Sequence, residues 1–150
     1  MNNYDEYFMK EALKEAQKAY QKEEVPIGAI LVIDGKIISR GHNLKITKSS
    51  PIAHAEVIAI EKASKKLKRW ILDDATLYVT VEPCLMCVGA ILQARLKRVV
   101  YGASQEKFGA LGGVINILEN NNFNHQTQVT SGVLQKECAQ LMKDFFAKLR

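Results

Sequence analysis

Strand and helix patterns alternate along this chain, and few folds are compatible with that order of elements. The stretch "IGAILVIDGKIISRGHN", residues 27 to 43, has two Ile- and Val-rich segments around Asp34-Gly35, a dipeptide typical of tight β-hairpins. The segments that follow are a helix over 53–66, a strand over 75–81, a helix from Pro83, a strand over 98–103, a weaker strand over 125–130 and a last helix over 133–149. This order predicts a three-layer α/β/α domain. Its first two strands should pair antiparallel, and the later strands should pair parallel through right-handed crossovers.

Other segments complete this prediction. Residues 4 to 22 carry apolar side chains at spacings of three and four, which predicts an amphipathic helix ended by Pro26. Ser50-Pro51 is typical of a helix start, with Pro51 early in the first turn. Residues 114 to 119 predict a short helix.

Composition restricts the class of protein. The 150 residues are enough for one domain spanning residues 1–150, and 47 % hydrophobic residues argue against disorder. The sequence contains no run of about 18 apolar residues, and its first residues lack the apolar region of a signal peptide. We therefore expect a cytoplasmic protein with no membrane partner. The net charge of +5 permits a nucleic-acid partner, and three cysteines, an odd number, argue against a disulfide framework.

Two cysteines three residues apart follow a proline directly in "VEPCLMC", residues 81 to 87. Positions three apart share one face of a helix, so Cys84 and Cys87 can both reach one ion. In the first turn of a helix the free N–H groups favour thiolate over thiol. His54, near another helix start, can add a nitrogen ligand. Three ligands are one fewer than a closed structural zinc site needs, whereas a catalytic zinc keeps its fourth position for water. Taken alone, the cysteine pair also fits two buried small side chains.

Glu56 is the nearest candidate for a proton shuttle beside such a metal. Residues two apart on an ideal helix do not face the same way, so spacing alone does not place Glu56 beside a metal held by His54. The spacing does suggest that Glu56 is not a second ligand. A lone His-x-Glu has little meaning, but with Pro-Cys-x-x-Cys it completes the zinc deaminase signature H-x-E…P-C-x-x-C.

Seven stretches carry a resemblance to one enzyme family. They are "EVPIGAI" (24–30), "GHN" (41–43), "AHAE" (53–56), "TLYVTVEPCLMC" (76–87), "RVVYGA" (98–103), "NFNH" (122–125) and "DFFAKLR" (144–150). On these stretches the chain resembles the bacterial, TadA-type tRNA-specific adenosine deaminases from end to end. The zinc signature covers the whole cytidine-deaminase-like superfamily, and "EVPIGA" with the basic "DFF" tail narrows it to the tRNA enzymes.

The resemblance implies a cytidine-deaminase-like α/β/α fold with a five-stranded mixed sheet. It implies a homodimer that deaminates adenosine to inosine at the wobble position of an arginine tRNA anticodon. One zinc ion (Zn2+) is expected per subunit, with His54, Cys84 and Cys87 as ligands. The resemblance also places Glu56 over the bound water as the proton shuttle.

Further residues match positions at which the family contacts its substrate. Asn43 matches a residue that hydrogen-bonds the adenine, and Ile27 matches part of the apolar wall. Lys107 and Phe145 fall where the family meets the anticodon backbone and neighbouring bases. The residues themselves also permit simpler roles, because Asn43 can cap a turn and Phe145 shares an apolar helical stripe. Many relatives carry an acidic residue at the position of Gln105, close to the ribose, where an amide can still hydrogen-bond a hydroxyl group.

The chain's end combines aromatic rings with positive charge. Phe146 lies off the centre of the apolar stripe and is expected to be the more exposed of the two adjacent phenylalanines. An anticodon loop is already single-stranded, so its bases can stack on aromatic rings while its phosphates meet basic side chains. The candidates for the phosphate contacts are Lys45, Lys48, Lys107, Lys148 and Arg150.

Two other functions remain open at this point. A deaminase of free bases or nucleosides, such as guanine or cytosine, would share the zinc and Glu56 but need no basic, aromatic tail. A non-enzymatic, zinc-stabilised RNA-binding module would need a fourth protein ligand. His42, His125 and Cys138 are its evident sources, although we read the two histidines as loop-fixing residues and Cys138 as core.

Overall fold

The computed structural model describes residues 3–119 and 123–149, so Asn122 of the "NFNH" stretch and Arg150 of the tail lie outside the described residues. The elements, in chain order, are α1 (Asn3–Gln21), β1 (Gly28–Ile33), β2 (Lys36–His42), α2 (Ala55–Leu67), β3 (Thr76–Val81), α3 (Leu85–Gln93), β4 (Arg98–Ala103), a 3-10 turn (Ile117–Glu119), β5 (Gln128–Ser131) and α4 (Gln135–Lys148).

The five strands form one mixed sheet in the order β2-β1-β3-β4-β5. β1 pairs antiparallel with both β2 and β3, whereas β3, β4 and β5 pair parallel. The predicted α/β fold and its five-stranded mixed sheet are therefore confirmed. The hairpin is confirmed as well, because Asp34 and Gly35 take left-handed φ values of 51° and 74°, as a type I′ turn requires.

Helices cover both faces of the sheet and make three layers. On one face, α2 and α3 pack on alternate strand residues such as Leu31, Leu77 and Val79. On the other face, α1 and α4 pack on the residues between them, such as Ile30 and Tyr78. Because both faces are buried, the central strands are nearly continuous apolar runs.

Gly41 lets the first turn of α2 lie directly on β2. A Cβ atom added at Gly41 would lie 2.6 Å from the carbonyl oxygen of Ala55, the first residue of α2. This close approach holds the start of α2 against the sheet, and His54 and Glu56 lie at that start.

Several predicted boundaries were wrong. α2 begins at Ala55 rather than 53, and Pro51 lies in a turn before it, because the side chain of Asn43 accepts the hydrogen bond of the Ala55 N–H. Residues 114 to 119 form only a 3-10 turn at their end, since the N–H groups of Val114 and Ile115 turn back to the carbonyl of Gly109.

The other helices and the last strand also differ from the prediction. α1 ends at Gln21, before Pro26, and Glu23 just beyond it is left-handed. β5 begins at Gln128 rather than 125, and α4 covers Gln135–Lys148. Within residues 3–119 and 123–149, every helix is too short or too polar to cross a bilayer.

Candidate metal and catalytic site

Two helix starts bring His54 and the two cysteines together. His54 is the N-cap of α2 and Cys84 is the N-cap of α3, and both have extended backbones, with ψ of 150° and 174°. Neither side chain makes a capping hydrogen bond to its own helix, so both are available to a shared centre. Cys87, one turn into α3, is fully buried.

The three donor atoms have the spacing of a tetrahedral metal site. The Nδ1 atom of His54 lies 3.7 Å from the Sγ of Cys84 and 3.5 Å from the Sγ of Cys87. All three atoms lie within 4.8 Å of one another. Ligands about 2.3 Å (sulfur) and about 2.0 Å (nitrogen) from one zinc ion in tetrahedral geometry are separated by roughly 3.5 Å. The donor set therefore fits zinc in both chemistry and distance.

The electrostatics of the two thiols also suit a cation. A hydrogen bond from Cys87 lowers the pKa of Cys84 to about 4, and the same bond together with burial raises the pKa of Cys87. The hydrogen bond with Cys84 raises the pKa of His54. One thiolate is thus present at neutral pH without a metal, and a bound cation would favour the second.

Glu56 lies beside this donor set, in the first turn of α2. Its side chain is buried, with the residue 3 % exposed, and burial raises the pKa of its carboxyl group to about 7. The carboxyl group is within hydrogen-bond reach of Cys87. Its Oε1 atom has no hydrogen-bond partner among the described residues. A buried carboxyl group with a raised pKa, one of whose oxygens has no partner in the part of the chain that the structure describes, is suited to transfer protons.

Residues two apart on a helix point in different directions, and the structure explains why this does not separate His54 from Glu56. His54 is not a helical residue, because its extended backbone precedes the first turn of α2. The rule that residues two apart diverge applies within a helix, so it does not govern this pair. Their ionised forms are close enough to interact electrostatically.

Asn43 and Ile27 lie next to the start of α2. Asn43 is buried, its N–H donates to the carbonyl of Ile27 at 3.1 Å, and its Oδ1 accepts from the N–H of Ala55 at 2.8 Å. Ile27 is half-buried and packs against the core cluster beneath α2 and α3. The structure thus brings both residues to the neighbourhood of His54 and Glu56, and their contact with a base stays a prediction.

Lys107 and the end of α4 line a groove of about 940 Å³, which we call the loop–α4 groove. It lies between the segment of residues 103–108 and α4, and its lining includes Gln105, Lys107, Phe108, Lys143 and Phe146. Phe108 is 69 % exposed and Phe146 is 43 % exposed, so both present aromatic surface to solvent.

The two adjacent phenylalanines of α4 have different surroundings. Phe145 is only 3 % exposed and packs edge-on against Tyr20 and Phe146. Lys148 places its ammonium group 4.9 Å from the ring centroid of Tyr20. The expectation that Phe146 is the more exposed ring is confirmed, while the contact of Phe145 with RNA stays a prediction.

Two buried glutamates were missed by the sequence analysis. The Glu24 carboxylate accepts hydrogen bonds from the N–H groups of Ile46 and Thr47, and Glu82 accepts them from the segment of residues 105–113. Each organises a loop near the site. A signal was available for Glu82, because a charged residue directly before Pro83 ends the apolar run of β3.

The residues considered as a possible fourth metal ligand lie outside the donor group. His42 contacts Glu15 and Lys22, and His125 contacts the carbonyl of Leu96 at 2.8 Å. Cys138 is buried on α4, where burial raises the pKa of its thiol to about 12. Within residues 3–119 and 123–149, the group able to hold a metal comprises three residues, as an open catalytic site requires.

Comparison with known proteins agrees with this geometry. The MafB19-like deaminase family matches residues 2–150. The tRNA-specific adenosine deaminase of Bacillus subtilis (strain 168) is 53 % identical over 97 % of this chain and 91 % of its own length.

Solved structures resemble the chain as well. A tRNA:A34 deaminase studied for A-to-I editing at the wobble position of transfer RNA superimposes with a TM-score of 0.87 and 41 % identity, over 90 % of this chain and 98 % of its own. The guanine deaminase of Nitrosomonas europaea gives a TM-score of 0.84 at 23 % identity, over 95 % and 84 % of the two chains, a likeness of fold alone.

Proposed function

Because the chain belongs to the family of the tRNA-specific adenosine deaminases, we propose that it converts adenosine to inosine at wobble position 34 of an arginine tRNA with one zinc ion per subunit. As a member of that family it is a hydrolytic deaminase. The single observation that carries the proposal is the buried Glu56 carboxyl group beside a donor set of His54, Cys84 and Cys87, with one oxygen that has no hydrogen-bond partner in residues 3–119 and 123–149.

The residues present fit the zinc ion. His54, Cys84 and Cys87 would hold it through one nitrogen and two sulfur atoms, the borderline and soft donors that zinc accepts. When bound, zinc lowers the pKa of water at its open position so that hydroxide is available at neutral pH.

The chain's own residues then account for the proton transfers. Hydrolysis adds water at C6 of the adenine and releases ammonia, so protons must leave the water and reach N1 and the departing amino group. Glu56 takes the water proton, delivers it to N1, and then carries a proton to the leaving ammonia. Burial raises the pKa of this carboxyl group, which favours its accepting a proton from water before it donates one to the base. Asn43 and Ile27 orient the base beside it.

The loop–α4 groove favours an RNA substrate over a free base. A free base has no phosphates and needs neither Lys107 nor Lys143. An anticodon loop presents phosphates to these lysines and bases to the exposed rings of Phe108 and Phe146, each stack contributing roughly 1–3 kcal/mol. Phe145 contributes as the buried support of Phe146.

A homodimer is part of the proposal. An apolar surface beside the metal site exposes Trp70, Leu85, Met86 and Phe123 on and around α3. Packing this surface against a second copy of the chain would remove its apolar area from water. Sedimentation at micromolar concentration should give a dimer, Trp70→Glu should give monomer, and Ile46→Glu, at an exposed residue of another loop, should leave the dimer intact. A wild-type monomer would contradict this part.

The expected compartment follows from the substrate and the thiols. The three cysteines are free in the structure, as a metal site built on thiolates requires, and tRNA is a cytoplasmic substrate. We therefore propose a cytoplasmic enzyme made of one deaminase domain.

The test of the main proposal is incubation of the zinc-loaded chain with an arginine tRNA that carries adenosine at the wobble position, followed by inosine detection. The same preparation is assayed on free adenosine, guanine and cytosine. Inosine in the tRNA with no turnover of the free compounds supports the proposal. Turnover of a free base without activity on tRNA would overturn it in favour of the alternative, a deaminase of free bases or nucleosides.

A further inference from the structure

The Glu82 carboxylate is surrounded by the loop of residues 105–113, which borders the loop–α4 groove. Glu82 follows the last residue of β3 and is 3 % exposed. Its Oε1 accepts the N–H of Gln105 at 3.0 Å, and its Oε2 accepts the N–H groups of Leu111 at 2.9 Å and Gly113 at 2.8 Å. One side chain thus satisfies three backbone donors of a segment without helix or strand.

The loop is built closely around this carboxylate. A Cβ atom at Gly113 would lie 2.8 Å from Glu82 Oε1, and one at Gly109 would collide with the carboxyl group. The same loop meets the start of α3, because Ala110 N–H donates to the Pro83 carbonyl at 3.0 Å and Gly109 forms a β-bridge with Cys84. Glu82 therefore ties the loop to the segment that carries the metal ligands.

This loop carries the groove wall. Gln105, Lys107 and Phe108 lie on it, and Lys107 and Phe108 are exposed. Exposed side chains have few contacts of their own to fix them, so their position follows that of the loop backbone. A loop held rigid before binding loses less conformational freedom when RNA arrives.

We propose that Glu82 is a positioning residue for tRNA binding, whose carboxylate holds residues 105–113 against the start of α3 so that Lys107 and Phe108 face the RNA. The inference rests on the proposed function, since it assigns this residue's part in recognising that substrate. Glu82 touches neither the base nor the reacting atoms in this scheme, and it acts through the loop.

Glu82→Gln is the perturbation, and Glu106→Gln is its matched control. Glutamine has the same shape but only one acceptor oxygen, so at most two of the three hydrogen bonds survive and its NH2 group faces a backbone N–H. Glu106 lies on the same loop and is exposed, so its substitution makes the same change in charge without removing those bonds. Gly113→Ala displaces the loop from the other side while leaving Glu82 intact.

Hydrogen exchange tests the loop contact without any activity assay. In Glu82→Gln the amides of Gln105, Leu111 and Gly113 should exchange about 10- to 100-fold faster, the factor for losing one or two hydrogen bonds to a charged group. Zinc content should be unchanged, and Glu106→Gln should exchange like the wild type. Unchanged exchange in Glu82→Gln would overturn the inference. If that variant does not fold, the same comparison is made with Gly113→Ala.

Kinetics on an anticodon stem-loop test the link to RNA. Glu82→Gln should raise KM about tenfold and change kcat much less, because the loop contributes to binding rather than to proton transfer. Lys107→Ala should raise KM less in the Glu82→Gln background than in the wild type, since Glu82 acts through the loop. Additive effects, or a loss confined to kcat, would overturn the proposal. A wild-type chain inactive on tRNA would instead overturn the proposed function, and exchange would still decide whether Glu82 holds the loop.

Discussion

Phe145 and Phe146 are adjacent on α4, and replacing each by alanine should produce two different losses. Phe146 is 43 % exposed in the loop–α4 groove, whereas Phe145 is 3 % exposed beneath it. We expect Phe146→Ala to weaken tRNA binding with little effect on folding. We expect Phe145→Ala to destabilise the fold first.

The magnitudes follow from these environments. A base stacked on an aromatic ring contributes roughly 1–3 kcal/mol, so Phe146→Ala should raise the Kd for RNA about 5- to 150-fold. Removing a buried phenylalanine costs about 3–5 kcal/mol, which for a chain of this size lowers Tm by roughly 6–20 °C. Phe146 packs edge-on against Phe145, so its own replacement should cost about 1 kcal/mol in stability.

The assay is fluorescence anisotropy with an anticodon stem-loop at one fixed salt concentration, alongside thermal unfolding of each variant. Tyr4→Ala serves as the control, because Tyr4 is an exposed aromatic residue of α1 outside the groove lining. Wild-type affinity in Phe146→Ala would refute the assignment of the groove to RNA. An unchanged Tm in Phe145→Ala would refute the argument from burial.

Four further outcomes are expected. Glu56→Gln should keep its zinc and fold but lose roughly 10²-fold or more in kcat, measured by inosine formation, because an amide cannot shuttle the proton. Cys87→Ala should lose zinc on metal analysis, while Cys138→Ala, at a buried thiol in the first turn of α4 and outside the donor group, should retain it. After chelation at pH 7, iodoacetamide should alkylate Cys84 before Cys138 in native protein, as followed by mass spectrometry. The pKa of Cys84 is lowered to about 4, so it is a thiolate at that pH, whereas the pKa of Cys138 is raised to about 12. Lys107→Ala should weaken tRNA binding and make the dependence of log K on log salt shallower by roughly 0.7 to 1.

Each of these has a result that would contradict it. Near-normal turnover in Glu56→Gln would remove this residue from the mechanism. Full zinc in Cys87→Ala would point to another protein ligand. Alkylation of Cys138 first would contradict its burial, and an unchanged salt dependence in Lys107→Ala would mean that this lysine meets no phosphate.

The fold was predictable from the sequence because its signals are local. The Asp34-Gly35 turn, the alternation of strands and helices and the apolar strands each depend on residues close together in the chain, and all appear in the structure. The sequence also indicated the candidate donor group that the structure brings together, since Cys84 and Cys87 are three residues apart and His54 belongs to a short signature, while zinc binding by this group stays a prediction.

Boundaries set by distant partners were not predictable in this way. Pro51 indicated a helix start by its own preference, but α2 begins at Ala55, where Asn43, twelve residues away, accepts the first hydrogen bond. The spacing of His54 and Glu56 alone did not place the two side chains together, and the structure supplies the reason that they can be close, because His54 lies before the helix with an extended backbone.

The sequence therefore identified the candidate metal-binding and proton-transfer residues, whereas the tertiary structure determined how the surfaces around them are arranged. Residue type and short spacing determine which atoms can bind a metal or move a proton. Which buried carboxylate holds the groove loop depends on packing between segments far apart in the chain. Glu82 shows the reason: its three hydrogen-bond donors lie 23 to 31 residues further on, and only the folded backbone brings them to one side chain.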